Sequence, residues 1–517
     1  MFNVDAALRE ENASLRAEVA SLQQRVAWFE KQLFGRKSEK RLIEHPSQGS
    51  LLGEPAAPTP AEGETTTTVA AYRRGTGKKQ RPDDCVNDSG LRFSDDVPVE
   101  VIEHPPAELS GPDADQYEII SIRKVFRLAQ CQASFVVLCH ETPVIKRKDE
   151  EAPLPCPSPA NVLERSVADV SFLVGMLVDK FQYHLPLYRQ HQRLKEAGIT
   201  LSRATLTNLG KRAIELLRPI AQAQLDSILQ SKVLAMDETP IKAGLSGKGT
   251  MKKAWFWPVY GDGDEVAFTY SASRGRQHIE RTLKEHFSGV LISDGYAAYA
   301  RYAEACEGIT HAQCWAHTRR KFVDAEAQAP AEVAHALELI GELYKQQRRV
   351  EEESLSGEKK REYRHTHSKP LVDALMQWCG EQLQRRDLIP SHPLRTAINY
   401  TLGRETELRV FLKDPDVPLD TNHVERAIRP IPLGRKNWMF CWTELGAEHV
   451  GIIQSLISTC KLQGINPYTY LTDVLLRIST HPASQVSDLT PRNWKQRFAD
   501  NPMRSDLYRT RQRMREA

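Results

Sequence analysis

The chain has 517 residues, with 70 Lys+Arg against 67 Asp+Glu and a formal net charge of +3 at pH 7. That length exceeds what one hydrophobic core organises and implies roughly two to four domains. So balanced a charge excludes a global basic field, so affinity for nucleic acid has to come from local clusters. No apolar run approaches the roughly 20 residues of a membrane span, and no signal-peptide pattern opens the chain. With nine scattered cysteines, an odd number, this predicts a cytoplasmic protein with reduced thiols and no membrane partner.

In residues 1–40 a heptad places Leu8, Leu15, Leu22 and Phe29 at d and Asn12, Val19, Val26 and Leu33 at a. Valine at a with leucine at d favours two strands, and a single Asn at a fixes register. A parallel coiled coil is expected, giving a homodimer or higher oligomer; a lone amphipathic helix is the alternative. Residues 41–84 are rich in Pro, Gly, Ser and Thr and read as a flexible linker, whose basic end (Arg73, Arg74, Lys78, Lys79) suits a DNA backbone. Residues 85–156 turn to short β-like runs, a small β-rich domain. Its cysteines, Cys85, Cys131, Cys139 and Cys156, lack the C-x-x-C spacing of a zinc knuckle, so structural zinc is not expected there.

Residues 157–230 carry helical periodicity. The segment GITLSRATLTNLGKRA reads as a turn and then a helix capped by Ser202. A helix-turn-helix would expose Arg203, Thr205 and Asn208 to a major groove; two ordinary packed helices give the same pattern. From 231 to 328 the runs KVLAMDETPIK, AWFWPVYG and EVAFTYSASRG predict a three-strand meander, followed by a helix, a buried strand stopping at Asp294, and a short run through Cys314 and His317. Residues 329–412 read as an all-helical insertion with a charged middle, EEESLSGEKKREYRH. In 413–445, Asp420, Thr421 and Asn422 are N-cap types that place Glu425 in the first turn of a helix, with Arg429 as its ion-pair partner one turn on. Residues 446–517 form a C-terminal helical region with a basic tail.

Asp237 and Asp294 each stand at the exit of a strand, so both can lie at one edge of a sheet, where Glu425 would close a group of three carboxylates. Such a group repels itself without cations and specifies hard divalent ions, Mg²⁺ or Mn²⁺. Two ions about 3.5–4 Å apart serve in-line phosphoryl displacement. Arg426, Arg435 and Lys436, with His317, Arg319 and Arg320, would contact phosphate. Trp255, Trp257, Trp438 and Trp442 would either stack on a base or pack in the core.

The motifs LFGRKSEK, DKFQYHLPLYRQ, MDETP, SDGYAAY, CWAHTRRKF, NHVERAIRPIPLGRKNW and SLISTCKLQGINPYTYLTDVL together resemble those of the IS66-type transposases, over nearly the whole chain. The resemblance implies a DDE-class enzyme of α/β fold. An RNase H-like mixed-sheet core with an all-helical insertion would follow an N-terminal coiled coil, a small β-rich domain and a helical domain. Asp237, Asp294 and Glu425 would be its triad, holding two Mg²⁺ (or Mn²⁺) ions, and Cys314/His317 matches the C-x-x-H that follows the second Asp in related elements. The implied substrate is double-stranded DNA, cut at the element ends and joined through 3′-hydroxyls to target DNA near the nucleoid, with accessory proteins of the same element as further partners. One departure is the missing C-x-x-C pairs after the linker, which implies a degenerate, zinc-free domain. A DNA-binding dimer with an idle site and a non-joining nuclease of the same fold are the competing readings.

Overall fold

The structure is a computed structural model that describes residues 91–516 apart from 96, 132, 133, 150, 151, 157, 158, 248, 249 and 284–286. The heptad region, the linker with Arg73, Arg74, Lys78 and Lys79, and Cys85 lie outside the described residues.

Strand β1 (Arg92–Phe93) is followed by β2 (Val99–Glu103), β3 (Tyr117–Cys131) and β4 (Ser134–Arg147). The last three form one sheet, with β4 central, parallel to β2 and antiparallel to β3. Helix α1 (Val170–Phe181) is apolar almost all round and correspondingly buried, and the Asp169 carboxylate accepts from the Ser171 N–H at its start. Helix α2 (Leu187–Glu196), strand β5 (Ile199–Thr200) and helix α3 (Arg203–Leu216) come next, and β5 pairs antiparallel with β1. Ser202 caps α3 by accepting from the Thr205 N–H at 3.0 Å. Arg203 is exposed, but Thr205, which a helix-turn-helix would expose, is buried: its hydroxyl turns back onto Ser202 at 2.9 Å.

Helix α4 (Arg218–Ile228) leads to a six-stranded sheet of β6 (Val233–Met236), β7 (Thr239–Gly247), β8 (Thr250–Gly261), β9 (Glu265–Ser271), β10 (Gly289–Ser293) and β11 (Ile309–Gln313). The order is β11-β10-β6-β8-β7, and β9 also pairs with β8. Strands β6, β10 and β11 run parallel, whereas β6, β7 and β9 each run antiparallel to β8. Strand β6 is buried throughout and β10 nearly so, as parallel strands covered on both faces require. Helix α5 (Arg276–Leu283) precedes β10, and α6 (Ala297–Ala305) connects it to β11. Strand β6 stops at Met236, just before Asp237, and β7, which the expected three-strand meander did not separate, follows two residues on; between them Asp237 Oδ1 accepts the Glu238 N–H at 2.7 Å.

Helix α7 (Trp315–Val323) opens an all-helical stretch: α8 (Pro330–Glu352), α9 (Gly357–Tyr363), a π-helical turn (Arg364–Ser368), α10 (Lys369–Leu383), α11 (Pro393–Leu402), α12 (Glu405–Leu408) and α13 (Val410–Lys413). Arg364 in the π turn is fully buried, and Nη1 donates to the carbonyls of Phe411 (2.9 Å) and Val417 (3.0 Å) while Nη2 donates to Gln347 (2.9 Å). Burial holds its pKa down to about 10, so it stays charged, and its bonds pin the strand of chain leading to Glu425. The chain then forms α14 (Asn422–Ile428), α15 (Pro430–Asn437), α16 (Glu444–Leu462) and α17 (Pro467–Arg477).

Helix α16 is buried along most of its length and lies on β9. Thr459 Oγ1 accepts from Val266 N–H (3.1 Å) and Ser455 Oγ from Phe268 N–H (2.8 Å), so helix hydroxyls satisfy the outer edge of β9. The close approach depends on Gly451, where a Cβ would stand 2.5 Å from the Phe268 carbonyl oxygen.

Candidate active site

The chain crosses from β6 to β7 in two residues, Asp237 and Glu238, and leaves β10 at Asp294. Because β6 and β10 are parallel neighbours, both exits open on the same end of the sheet. One carboxylate oxygen from each of Asp237, Glu238 and Asp294 lies within 4.8 Å of the others. Among the described residues this is the one such group of three or more His, Cys, Asp or Glu.

The acids are held, not free to splay. Glu238, whose side chain is 2% exposed, is paired with Arg274 and accepts from the buried Tyr299 hydroxyl at 2.9 Å. Arg274 lies 4.2 Å over the Tyr296 ring, and Tyr296 O–H donates back to the Arg274 carbonyl at 2.6 Å. Asp294 accepts the Tyr296 N–H at 2.8 Å, and the preceding Ser293 hydroxyl meets His311 Nε2 at 2.9 Å. Burial pushes the His311 pKa down to about 4, so this ring is neutral. Burial, and then the charges of Glu238, Asp294 and Glu425, push the Asp237 carboxyl up to about 7, while burial and Asp294 raise Glu238. Acids raised this way by one another are short of positive charge. Their oxygen-only donor set fits a hard divalent cation such as Mg²⁺ or Mn²⁺.

Glu425 stands one step out from this group. Its carboxylate faces His317 Nε2 and Arg320 Nη2, each at 3.7 Å. Arg429, expected to pair with it, is exposed and sits at the joint where α14 gives way to Pro430 of α15. The break follows from Pro430, which has no N–H to continue the first helix. The Asp420 carboxylate accepts the Asn422 N–H at 3.0 Å and the Tyr344 hydroxyl at 2.9 Å, so the start of α14 is tied to α8. Cys314, at the foot of α7, accepts the Thr421 N–H on its sulfur at 3.3 Å; burial raises its pKa, and it joins α7 to the Glu425 helix. His317 is lowered by burial against the opposing pull of Asp294 and Glu425.

The other predicted contacts are spread out. Arg319 and Arg320 are exposed on α7, Arg426 on α14 and Lys436 on α15. Arg426 acts electrostatically on Tyr260 and His423. Exposed Arg435 donates to the Pro240 carbonyl at 2.8 Å, bringing α15 against β7. Arg203 lies on α3, with its guanidinium 6.0 Å over Tyr188. Trp257 and Trp438 are core residues, 0% and 5% exposed, and Lys180 lies 3.8 Å over the Trp438 ring.

Sequence reasoning passed over Glu238, Arg274, Tyr299 and the pair Tyr400 and Arg404. Glu238 had a signal, its adjacency to Asp237 at the end of the same apolar run. The others come from distant segments, and nothing local marks them.

The chain matches the model of the transposase IS66 family over residues 165–449, that of the IS66 C-terminal element over 455–492, and that described as Transposase C of IS166 homeodomain over 21–102. Among curated relatives it is 33% identical over 365 residues to the uncharacterized protein y4jD of Sinorhizobium fredii, covering 68% of this chain and 70% of the relative. It is 32% identical over 378 residues to the uncharacterized protein y4hP of the same organism, covering 69% and 68%. The first of these family matches spans more than half of the sequence and takes in every acid of the site: the chain belongs to the IS66 transposase family.

Proposed function

We propose that the protein is a DNA transposase of the DDE class, which cuts the ends of an insertion sequence and joins their 3′-hydroxyls to target DNA. The observation that carries this reading is the pair Asp237 and Asp294 at the exits of two neighbouring parallel strands, with the Glu425 helix packed beside them. The sheet supports an RNase H-like core: an antiparallel set (β6, β8, β9, with β7 continuing along β8) followed by two parallel strands, β10 and β11, joined through α6.

Asp237, Asp294 and Glu425 are the residues that would hold two Mg²⁺ or Mn²⁺ ions, with Glu238 beside them. Bound there, the ions would supply an activated oxygen nucleophile and charge stabilisation at the leaving oxygen. The chain's own part is placement and electrostatics. Arg320 and His317 hold Glu425 in place. Arg319, Arg426, Arg435 and Lys436 offer exposed cations to the phosphates of the strand, and Arg203 on α3 offers one to a duplex groove or backbone. The heptad of residues 1–40 would pair two chains, and Arg73, Arg74, Lys78 and Lys79 would track the DNA between.

The test is a strand-transfer assay with purified full chain, a labelled element-end duplex, target DNA and Mg²⁺. Label should appear joined to target with the natural chain and vanish with Asp294→Ala. Nicking without joining would make the protein a nuclease, and undiminished joining by the variant would remove Asp294 from the site.

A further inference from the structure

The helical stretch between α7 and α14 touches the acids' scaffold at a point that the proposed chemistry does not use. Arg404, just past α11, lies flat on the Tyr400 ring with its guanidinium carbon 3.9 Å from the ring centre. Its Nη1 donates to the Tyr400 carbonyl and its Nη2 to the carbonyl of Gly295, both at 3.2 Å. Gly295 directly follows Asp294. Glycine lets the two segments come this close: a Cβ here would stand 2.4 Å from the Tyr400 hydroxyl oxygen and 2.6 Å from its ring, so Tyr400 would have to shift. Asp294 is thus held from one side by the Tyr296 N–H and from the other through the backbone of its neighbour. Lys321 lies 5.6 Å over the same Tyr400 ring, so α7, which carries His317 and Arg320, meets the same group.

We propose that Arg404 is a positioning residue for Asp294: clamped on Tyr400 and bonded to the Gly295 carbonyl, it fixes the turn that aims the Asp294 carboxylate at a bound divalent cation. The assignment rests on the metal-dependent reading above. It makes the insertion part of the site's outer shell, on the principle that groups orienting a ligand govern affinity nearly as the ligand does. Arginine suits the place because its planar fork can stack and donate in two directions at once, which an ammonium cannot.

The experiment is Mn²⁺ titration of the full chain, by calorimetry and by the electron paramagnetic resonance signal of free and bound ion, for the natural protein, Arg404→Ala, Arg404→Lys and Arg385→Ala. Arg385 lies in the same insertion and pairs with Glu332 and Asp387, away from the acids' scaffold, so it reports any general loosening. Arg404→Ala should weaken Mn²⁺ binding about 10-fold. Arg404→Lys should recover part of that loss, and Arg385→Ala should bind as the natural chain does. Natural affinity in Arg404→Ala, or an equal loss in Arg385→Ala, overturns the assignment while leaving the proposed function standing. A natural chain that takes up no Mn²⁺ overturns both, and that outcome is read before any variant is compared.

Discussion

At the scale of single residues, the site carries a cost that can be measured. Asp237 is pushed up to about 7 from the ordinary carboxylate range, so below that pH the folded chain holds a proton that the unfolded chain releases above about 4. Folding stability contributed by this group therefore falls as pH rises from about 4 to about 7 and stays low above. Asp237→Asn should stabilise the metal-free protein at pH 8 by about 1–2 kcal/mol, less than the full shift carries because water reaches the site, and the gain should shrink toward pH 4. Urea unfolding at the two pH values measures it. If Asp237 is a Mg²⁺ ligand as proposed, saturating Mg²⁺ should reverse the order at pH 8, because ion binding stabilises the natural chain more than the variant. Asp237 and Asp294 were legible in the sequence, since an acid ending an apolar strand-length run can only sit at a sheet exit. Arg364 was not: it lies in EEESLSGEKKREYRH, a run that reads as solvated charge, yet it is fully buried on backbone carbonyls. Charge density along a segment does not say which one of its charges finds a set of partners.

At the scale of elements, the strands and helices among the described residues followed their periodicity, and the departures fell where two elements meet. Thr205 would face a groove in a helix-turn-helix but be covered in a plain packed helix, and its burial reflects a neighbouring packing surface that periodicity cannot see. The junction of α14 and α15 is a kink at Pro430, which removes the one-turn pairing of Glu425 with Arg429 and leaves Glu425 to α7. Arg320→Ala should therefore lower strand transfer more than Arg429→Ala does; the two rates compared in one assay decide it. Helix α16 shows the same point from the packing side. Gly451→Ala puts a methyl where the Phe268 carbonyl of β9 already is, and should destabilise the fold by about 1–3 kcal/mol in denaturant unfolding. Nothing in the sequence of α16 names its partner, because the outer edge of β9 lies nearly 200 residues earlier.

At the scale of the whole molecule, the heptad of residues 1–40 is expected to set the assembly. Deleting it should leave Mn²⁺ uptake intact and shift the sedimentation coefficient to that of a single chain. The site itself draws on three stretches of sequence, and Glu425 comes 131 residues after Asp294. Tyr344 on Asp420, Arg364 on Phe411 and Val417, and Arg404 on Gly295 show the insertion gripping both sides of that gap. One consequence concerns synthesis. A chain emerging from the ribosome exposes the outer edge of β9 and lacks Glu425 until α14 to α16 have appeared. A copy of the gene that ended before α14 would thus yield a product without Glu425 and with the outer edge of β9 uncovered.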